Sequence, residues 1–479
     1  MSDGLNVARR IAINAALQAG GEIVGKVATL ALTVVAAREL SRDAFGAFAY
    51  ALAFAPLVGV VWSWGLGVLF IQEASESPDE LPRLYGEFIL LKVFLTIPTV
   101  VVFGVVGALF RPDRGSAVVL IAVLVAWAIN SFREANVSAG IARQQMVGVT
   151  LAQVVDRISS AALGIGVLLL GMGVVALSIG FLAGSLAGYV AARVAVRRLG
   201  IHLDLRAVQV KNLFPMLKRS FYIGIDNMVS SLLFRVDALL LAAFKGDAAL
   251  AAYSVAYRLL ETVMFVSWAV TRALFPAMSA GGPQRVRKGL EEGIAGIAIL
   301  YIPFGVALVI EADRLIPFIF GGNYGDASAT AAQWLAAAPL FLGMSYLAGY
   351  GLQSLARPRA VFLASLYAAV FNLALNLVLI PRYSGTGAAI ATTSAYALET
   401  VVSLWMLRPD IGWPRLGRRL AAPMLASAIM AAVIILLPGH VAVVLVAGAA
   451  VYFATWLSVA RRLNPEQVTL LRSLLPGRR

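Results

Sequence analysis

No cysteine occurs anywhere in the chain, so disulfides, thiolate nucleophiles and cysteine-held metals are excluded. Histidine is nearly as scarce. His202 and His440 are the only two, both in expected loops, and they support neither a histidine metal site nor a catalytic dyad. Charge is thin as well: 13% of the 479 residues are Asp, Glu, Lys or Arg, against about 25% in soluble domains. A cleavable signal peptide is not evident, because the first apolar segment, 11–37, is too long for one and contains Glu22 and Lys26. What remains is apolar. Hydrophobic residues make up 60% of the sequence and the mean hydropathy is +0.85, the composition of a membrane protein. The net charge of +14 invites a nucleic-acid partner, but the basic residues sit in short loops between apolar segments, where they set topology. Nucleic-acid binding is therefore not expected.

About 14 segments have spanning length, from 11–37 and 45–70 to 420–437 and 441–458. Pro and Gly punctuate the joints, among them Pro82, Pro112, Pro358, Pro381, Pro409 and Pro438. With the N-terminus placed in the cytoplasm, about 27 basic residues fall inside and about 7 outside, a strong positive-inside bias. The expected fold class is all-α. It is a polytopic membrane protein of about 14 transmembrane helices, with two pseudo-symmetric six-helix lobes and a C-terminal helix pair. Both termini are expected in the cytoplasm. The expected division is an N-lobe over 1–200, a basic cytoplasmic linker over 201–219 and a C-lobe over 220–408. Appended helices 13 and 14 follow over 409–460, and a tail over 461–479, where Asn464 caps a surface helix.

The two halves carry a faint repeat. The second helix opens ARELSRDAFGAFAYA (37–51) and the eighth AAFKGDAALAAYSVA (242–256), so that Phe48 matches Tyr253 and Ala51 matches Ala256. This fits a transporter built from two parallel six-helix halves. The stretch 221–263 shows the polar theme most plainly: two apolar helices around a turn at Lys245–Asp247 that nevertheless contain Asp226, Arg235, Asp237, Arg258 and Glu261. Charges at membrane depth are costly and normally face a bundle interior or a wet cavity. Gly180–Gly188 reads as helix packing, not as a phosphate loop, because no strand precedes it.

Four signatures resemble the polysaccharide-biosynthesis flippase branch of the multidrug/oligosaccharidyl-lipid/polysaccharide exporter superfamily. They are Ala37-Arg38-Glu39-Leu40 with Phe45-Gly46; Val236-Asp237-Ala238-Leu239-Leu240 followed by Tyr253 and Arg258; and Ile319-Phe320-Gly321 with Tyr324. The fourth is Phe371-Asn372-Leu373-Ala374-Leu375-Asn376-Leu377, then Ile380-Pro381 and Gly385-Thr386-Gly387-Ala388-Ala389. The resemblance implies a flippase that moves an undecaprenyl-pyrophosphate-linked oligosaccharide from the inner to the outer leaflet by alternating access. It implies a role in cell-surface polysaccharide such as lipopolysaccharide or exopolysaccharide, with polysaccharide polymerase machinery as a downstream partner. The location implied is a bacterial or archaeal plasma membrane. In the related lipid II flippases an arginine of the eighth helix is central, and Arg258 lies in a similar setting. Those relatives also carry arginines in the first two helices. Here the first helix has Glu22 and Lys26 and the second has no basic residue, which counts against lipid II itself as the substrate.

An anionic headgroup crosses hydrocarbon only in a wet, cationic cavity. Lys26 lies about 22 Å of rise along its helix and Arg258 about 13 Å along its own, so both reach the midplane, one in each half. The plainer alternative is local pairing, Glu22 with Lys26 and Arg258 with Glu261. Arg157 either neighbours the cavity or pairs with Asp156 or Glu399. Trp62, Trp64, Tyr253, Tyr257 and Trp268 are core or interface aromatics more readily than sugar platforms. Asp226 and Asp237 share a helical face. Asp237, Asn372, Asn376, Thr392 and Thr393 form either a Na⁺ or H⁺ site, the arrangement the resemblance implies, or interhelical hydrogen bonds. No catalytic residue, no cofactor and no metal beyond that Na⁺ is expected, and a monomer is the default.

Two other functions compete. An ion-coupled multidrug or metabolite exporter on the same fold would want a smaller, more apolar and acidic cavity, which Lys26 and Arg258 oppose. A membrane enzyme such as a polysaccharide polymerase would want a sizeable outside loop, and the longest, 311–328, is short.

Overall fold

The computed structural model describes residues 2–463 except Pro112, Gln144, Leu205 and Ala207. Side chains are described from Gly20 onward, apart from Met146, Val149, Tyr222, Asp226, Ser230, Leu233 and Leu463. The expected surface helix from Asn464 and the side chain of Asp226 therefore lie outside the described residues.

Among the described residues every regular element is helical. The first unit, Met1–Ala251, contains α1 (Ser2–Glu39), α2 (Arg42–Ser63), α3 (Leu66–Glu76), α4 (Leu81–Leu109), α5 (Arg114–Ala142), α6 (Met146–Leu169), α7 (Gly173–Arg198), α8 (Leu213–Arg219) and α9 (Phe221–Lys245). The helix starts follow local chemistry. The Ser41 hydroxyl accepts the Ala44 amide at 3.2 Å and so caps α2. The Asp113 carboxylate accepts the Ser116 amide at 2.9 Å and caps α5. Trp64 (φ 36) and Gly65 (φ 69) are both left-handed and break α2 from α3. A Cβ on Gly65 would crowd Ile223 at 2.5 Å, so the break seats against the start of α9.

The glycines of α7 work as expected. A Cβ at Gly180, Gly184 or Gly188 would meet Leu163, Ser160 or Asp156 in turn. Spaced by four, they let α7 lie close along α6. A core forms where Leu66, Phe70, Tyr85 and Phe88 meet Leu213 and Met216, with Phe70 stacked on Phe88 at 4.8 Å. The 201–219 stretch joins that core rather than standing apart as a linker. Glu87 accepts the Gln209 amide at 3.3 Å and the Asn212 side-chain amide at 2.8 Å. The compact unit also runs further than 200, because α9, expected in the C-lobe, packs on α2.

The second unit, Ala252–Arg479, contains most of α10 (Asp247–Ser279), then α11 (Gly282–Phe320), α12 (Asp326–Leu335), α13 (Ala338–Ser354), α14 (Pro358–Ile411), α15 (Gly417–Leu436) and α16 (Val441–Leu463). Met278, Leu290, Tyr301, Leu347 and Leu407 centre its main core. α15 and α16 pack on each other and on α11 through Met430, Ile434, Tyr452 and Trp456, an appended pair as expected.

Among the described residues twelve helices are long and apolar enough to cross a membrane. The two arms of α9, Ile223–Val229 and Phe234–Lys245, bent by 46°, make thirteen when taken as one. α14 has 54 residues, which as a straight helix would reach about 80 Å against about 30 Å of hydrocarbon. It folds back instead. Ser384 (φ 52, ψ −133) breaks it, and the Ser365 hydroxyl donates to Glu399 at 2.8 Å across 34 positions of sequence. Length and composition alone give twelve or thirteen crossings. That is one or two fewer than the expected count of about 14.

Candidate functional site

The first unit gathers charge where α1 meets α6. The stem of Arg157 lies across Gly25, where a Cβ would sit 3.2 Å from its Cγ, and Thr150 lies across Gly21 in the same way. Arg157 is thus brought against α1 at Gly25, the residue before Lys26. Lys26 is half-buried, while Glu22 and Arg157 are exposed.

One residue away the helix does something different. Asp156 is buried on the opposite side of α6, facing α5 and α7. It stands 3.8 Å from Arg133 of α5, which also donates from Nε to Asn130 at 2.9 Å. Arg133 is a buried helix residue, 6% exposed. Arg133 Nη1 and Asp156 Oδ1 are buried with no hydrogen-bond partner among the described residues. Lys92 is a second buried cation, donating to Ser131 at 2.6 Å and resting 5.3 Å from the centre of the Phe88 ring.

In the second unit, Arg258 donates to Glu261 at 2.7 Å, and both side chains stay about a fifth to a quarter exposed. The local pair expected from the i,i+3 spacing forms, yet Arg258 Nε is buried without an acceptor among the described residues. Tyr253 and Tyr257, five residues and one residue before it, have ring centroids 5.7 Å apart. Tyr253 is buried, as is Trp62 of the first unit, so neither offers a sugar platform. Trp64 packs on Phe221 at 6.0 Å. Trp268 packs on Tyr346 at 6.4 Å and keeps 42% of its surface exposed. Glu399, without an evident partner in the sequence, accepts from Ser365.

The expected ion-site residues divide between the units. Asp237, in the first, is buried and accepts the Ala238 amide at 2.7 Å. In the second, Asn372 and Asn376 are buried on one face, with the Asn376 amide donating to Asn372 at 2.9 Å. Asn376 Oδ1 and Asn372 Nδ2 have no partner among the described residues. A buried carbonyl oxygen without a donor is the kind of atom a desolvated Na⁺ takes. Thr392 lies buried within 3.5 Å of the Tyr253 hydroxyl. Thr393 turns away and donates to the Trp334 carbonyl at 2.8 Å, so the structure does not bring it to the asparagines. Among the described residues no cluster of three or more His, Asp or Glu could hold a metal ion.

Fold and charge pattern define a class: a polytopic, helical membrane protein whose apolar spans enclose buried polar groups. The chain belongs to the polysaccharide biosynthesis protein family, whose pattern matches residues 35–329. It is 25% identical over 399 residues to a protein of Haloferax volcanii named a probable low-salt glycan biosynthesis flippase, Agl15, covering 79% of this chain and 81% of that one. Among solved structures it is similar to lipid II flippase MurJ in an inward closed conformation, with a TM-score of 0.77 at 16% identity over 93% of this chain and 99% of the other. A multidrug resistance MATE transporter of the MOP superfamily matches at a TM-score of 0.66 and 12% identity, covering 80% and 94%. The fold is therefore the one that MurJ and the MATE transporters share.

Proposed function

We propose that this protein is a flippase that moves a lipid-linked oligosaccharide from the inner to the outer leaflet of the plasma membrane for cell-surface polysaccharide synthesis. The carrier is a polyprenyl pyrophosphate of the undecaprenyl class, and the cycle is alternating access. The observation that carries the reading is the similarity, over four-fifths of both chains, to a protein named as a glycan biosynthesis flippase. Family membership supports it.

The chemistry of the spans fits. Lys26 and Arg157 in the first unit and Arg258 in the second are cations that water or a headgroup can reach. Arg258 can grip phosphate bidentately once it leaves Glu261. Asp237, and separately Asn372, Asn376 and Thr392, supply oxygens for a coupling Na⁺ or a proton. The lipid tail stays in the bilayer, so only the headgroup needs a polar route.

Reconstitution in liposomes tests the proposal. A fluorescent polyprenyl-pyrophosphate sugar and a cationic dye are offered separately under imposed Na⁺ or H⁺ gradients. The proposal expects protein-dependent arrival of the lipid in the opposite leaflet with the dye unmoved. Movement of the dye alone would make the chain a drug exporter instead.

A further inference from the structure

We infer that the cavity at the α2, α4 and α10 ends of the first unit is a saccharide subsite, which holds the sugar head of a lipid-anchored glycan. The inference rests on the flippase reading and goes beyond it, because the cations assigned there lie elsewhere. The cavity has a volume of about 1270 Å³, large enough for more than one sugar ring, since ligand pockets run to roughly 300–1,000 Å³. Its wall includes Asp43, Tyr50, Phe54, Arg111, Asp113 and Asp247. The loops that build it are those the charge bias places outside, where a flipped glycan arrives.

Arg111 is the best evidence that a ligand is wanted. Its side chain is 6% exposed, ion-paired with Asp247 and stacked 4.5 Å above the Tyr50 ring. Its Nε–H is nevertheless buried with no acceptor among the described residues. Leaving such a donor unmet costs about 1–3 kcal/mol, and an oxygen entering the cavity would meet it. The turn that carries Asp247 is held close, since a Cβ on Gly46 would run into the Asp247 backbone.

Charge and shape select the ligand. Three carboxylates face one guanidinium, so a bare phosphate is repelled while hydroxyl groups find acceptors. Ser116 donates to Asp113 from its hydroxyl and its amide, and these bonds hold the Asp113 carboxyl below the usual range and keep it an acceptor. Tyr50 and Phe54 stack at 5.8 Å and 14°, a platform for the apolar face of a pyranose. Beyond them, Leu109 and Phe110 at the end of α4 are 78% and 82% exposed. An amphipathic lipid can lay its chain on that rim with its sugar in the cavity.

The cysteine-free chain makes the test direct. A single Ala243→Cys places a thiol in the cavity wall, where Ala243 is exposed, and Lys211→Cys serves as a remote exposed control. Both are reacted with a maleimide in phospholipid nanodiscs. The additions are dodecyl maltoside below its micelle concentration, a polyprenyl-pyrophosphate disaccharide, or dodecyl phosphate.

The maltoside and the glycolipid should slow labelling at 243 but not at 211, and dodecyl phosphate should do neither. Tyr50→Ala should raise the half-protecting concentration roughly tenfold. Asp43→Asn, at an exposed site that leaves the fold intact, should raise it less. Equal protection by dodecyl phosphate, or protection by none of the three, overturns the subsite. Leaflet transfer measured on the same preparations separates the two readings. Transfer without protection sinks the subsite alone, and protection by the maltoside without transfer sinks the flippase alone.

Discussion

Two arginine–carboxylate pairs within the spans are held in different ways. Arg258 and Glu261 are three residues apart on one helix, 2.7 Å from each other and partly exposed. Arg133 and Asp156 come from different helices, lie 3.8 Å apart, are almost wholly buried and leave one nitrogen and one oxygen unmet. The first can open by a side-chain rotation, because water or a ligand is at hand to replace the partner. The second cannot open without parting α5 from α6. An intramembrane charge is therefore a functional candidate when it can exchange partners, and a structural element when it is locked between helices.

That contrast can be broken in several ways. The largest effect is expected from Asp156→Ala, which strands Arg133 in the helix interior. Removing one partner of a buried pair costs about 3–5 kcal/mol, so thermal unfolding of the purified protein should show a large drop or the protein should fail to accumulate. Replacing both partners together, Arg133→Met with Asp156→Leu, should recover most of the loss. Gly184→Leu comes next. Its side chain would collide with the Ser160 backbone, an overpacking cost of about 1–3 kcal/mol, visible as a lower melting temperature with unchanged helicity. Asn376→Leu strands the buried Asn372 side chain that it bonds, a loss of about 1–3 kcal/mol, and should also remove the cation dependence of transport. Thr393→Ala is the smallest. It gives up one hydrogen bond, about 1 kcal/mol, and should leave cation dependence untouched, because Thr393 bonds Trp334 instead of facing the asparagines.

Much of the fold was legible because hydropathy and loop charge are local signals. The spans, the packing role of Gly180–Gly188 and the pairing of α15 with α16 all came from short windows of sequence. What escaped depends on distance along the chain. Arg111 and Asp247 meet across 136 positions, and nothing near Arg111 in the sequence points to that partner. The KGD turn (245–247) and Gly46 were visible, but nothing in them says that one rests on the other. The burial of Arg133 has no local sign in the sequence, because it depends on Asp156 of the neighbouring helix. α9 follows the basic stretch in sequence, and its packing on α2 is not visible from that position. The site was legible in part: the Arg258–Glu261 pair and the Asn372–Asn376 face were as expected, while Thr393 was included only because it adjoins Thr392.

The most direct test compares Arg258→Ala with Arg133→Ala, measuring leaflet transfer of a polyprenyl-pyrophosphate sugar per folded molecule alongside thermal stability. The account predicts that Arg258→Ala stays within about 1 kcal/mol of the parent in stability and loses transfer at least tenfold, on the order of one lost charge-assisted contact. It predicts that Arg133→Ala is markedly less stable and that its folded fraction still transfers lipid. The opposite pattern, a stable Arg133→Ala that cannot transfer and a fully active Arg258→Ala, would contradict the division between exchangeable and locked charges.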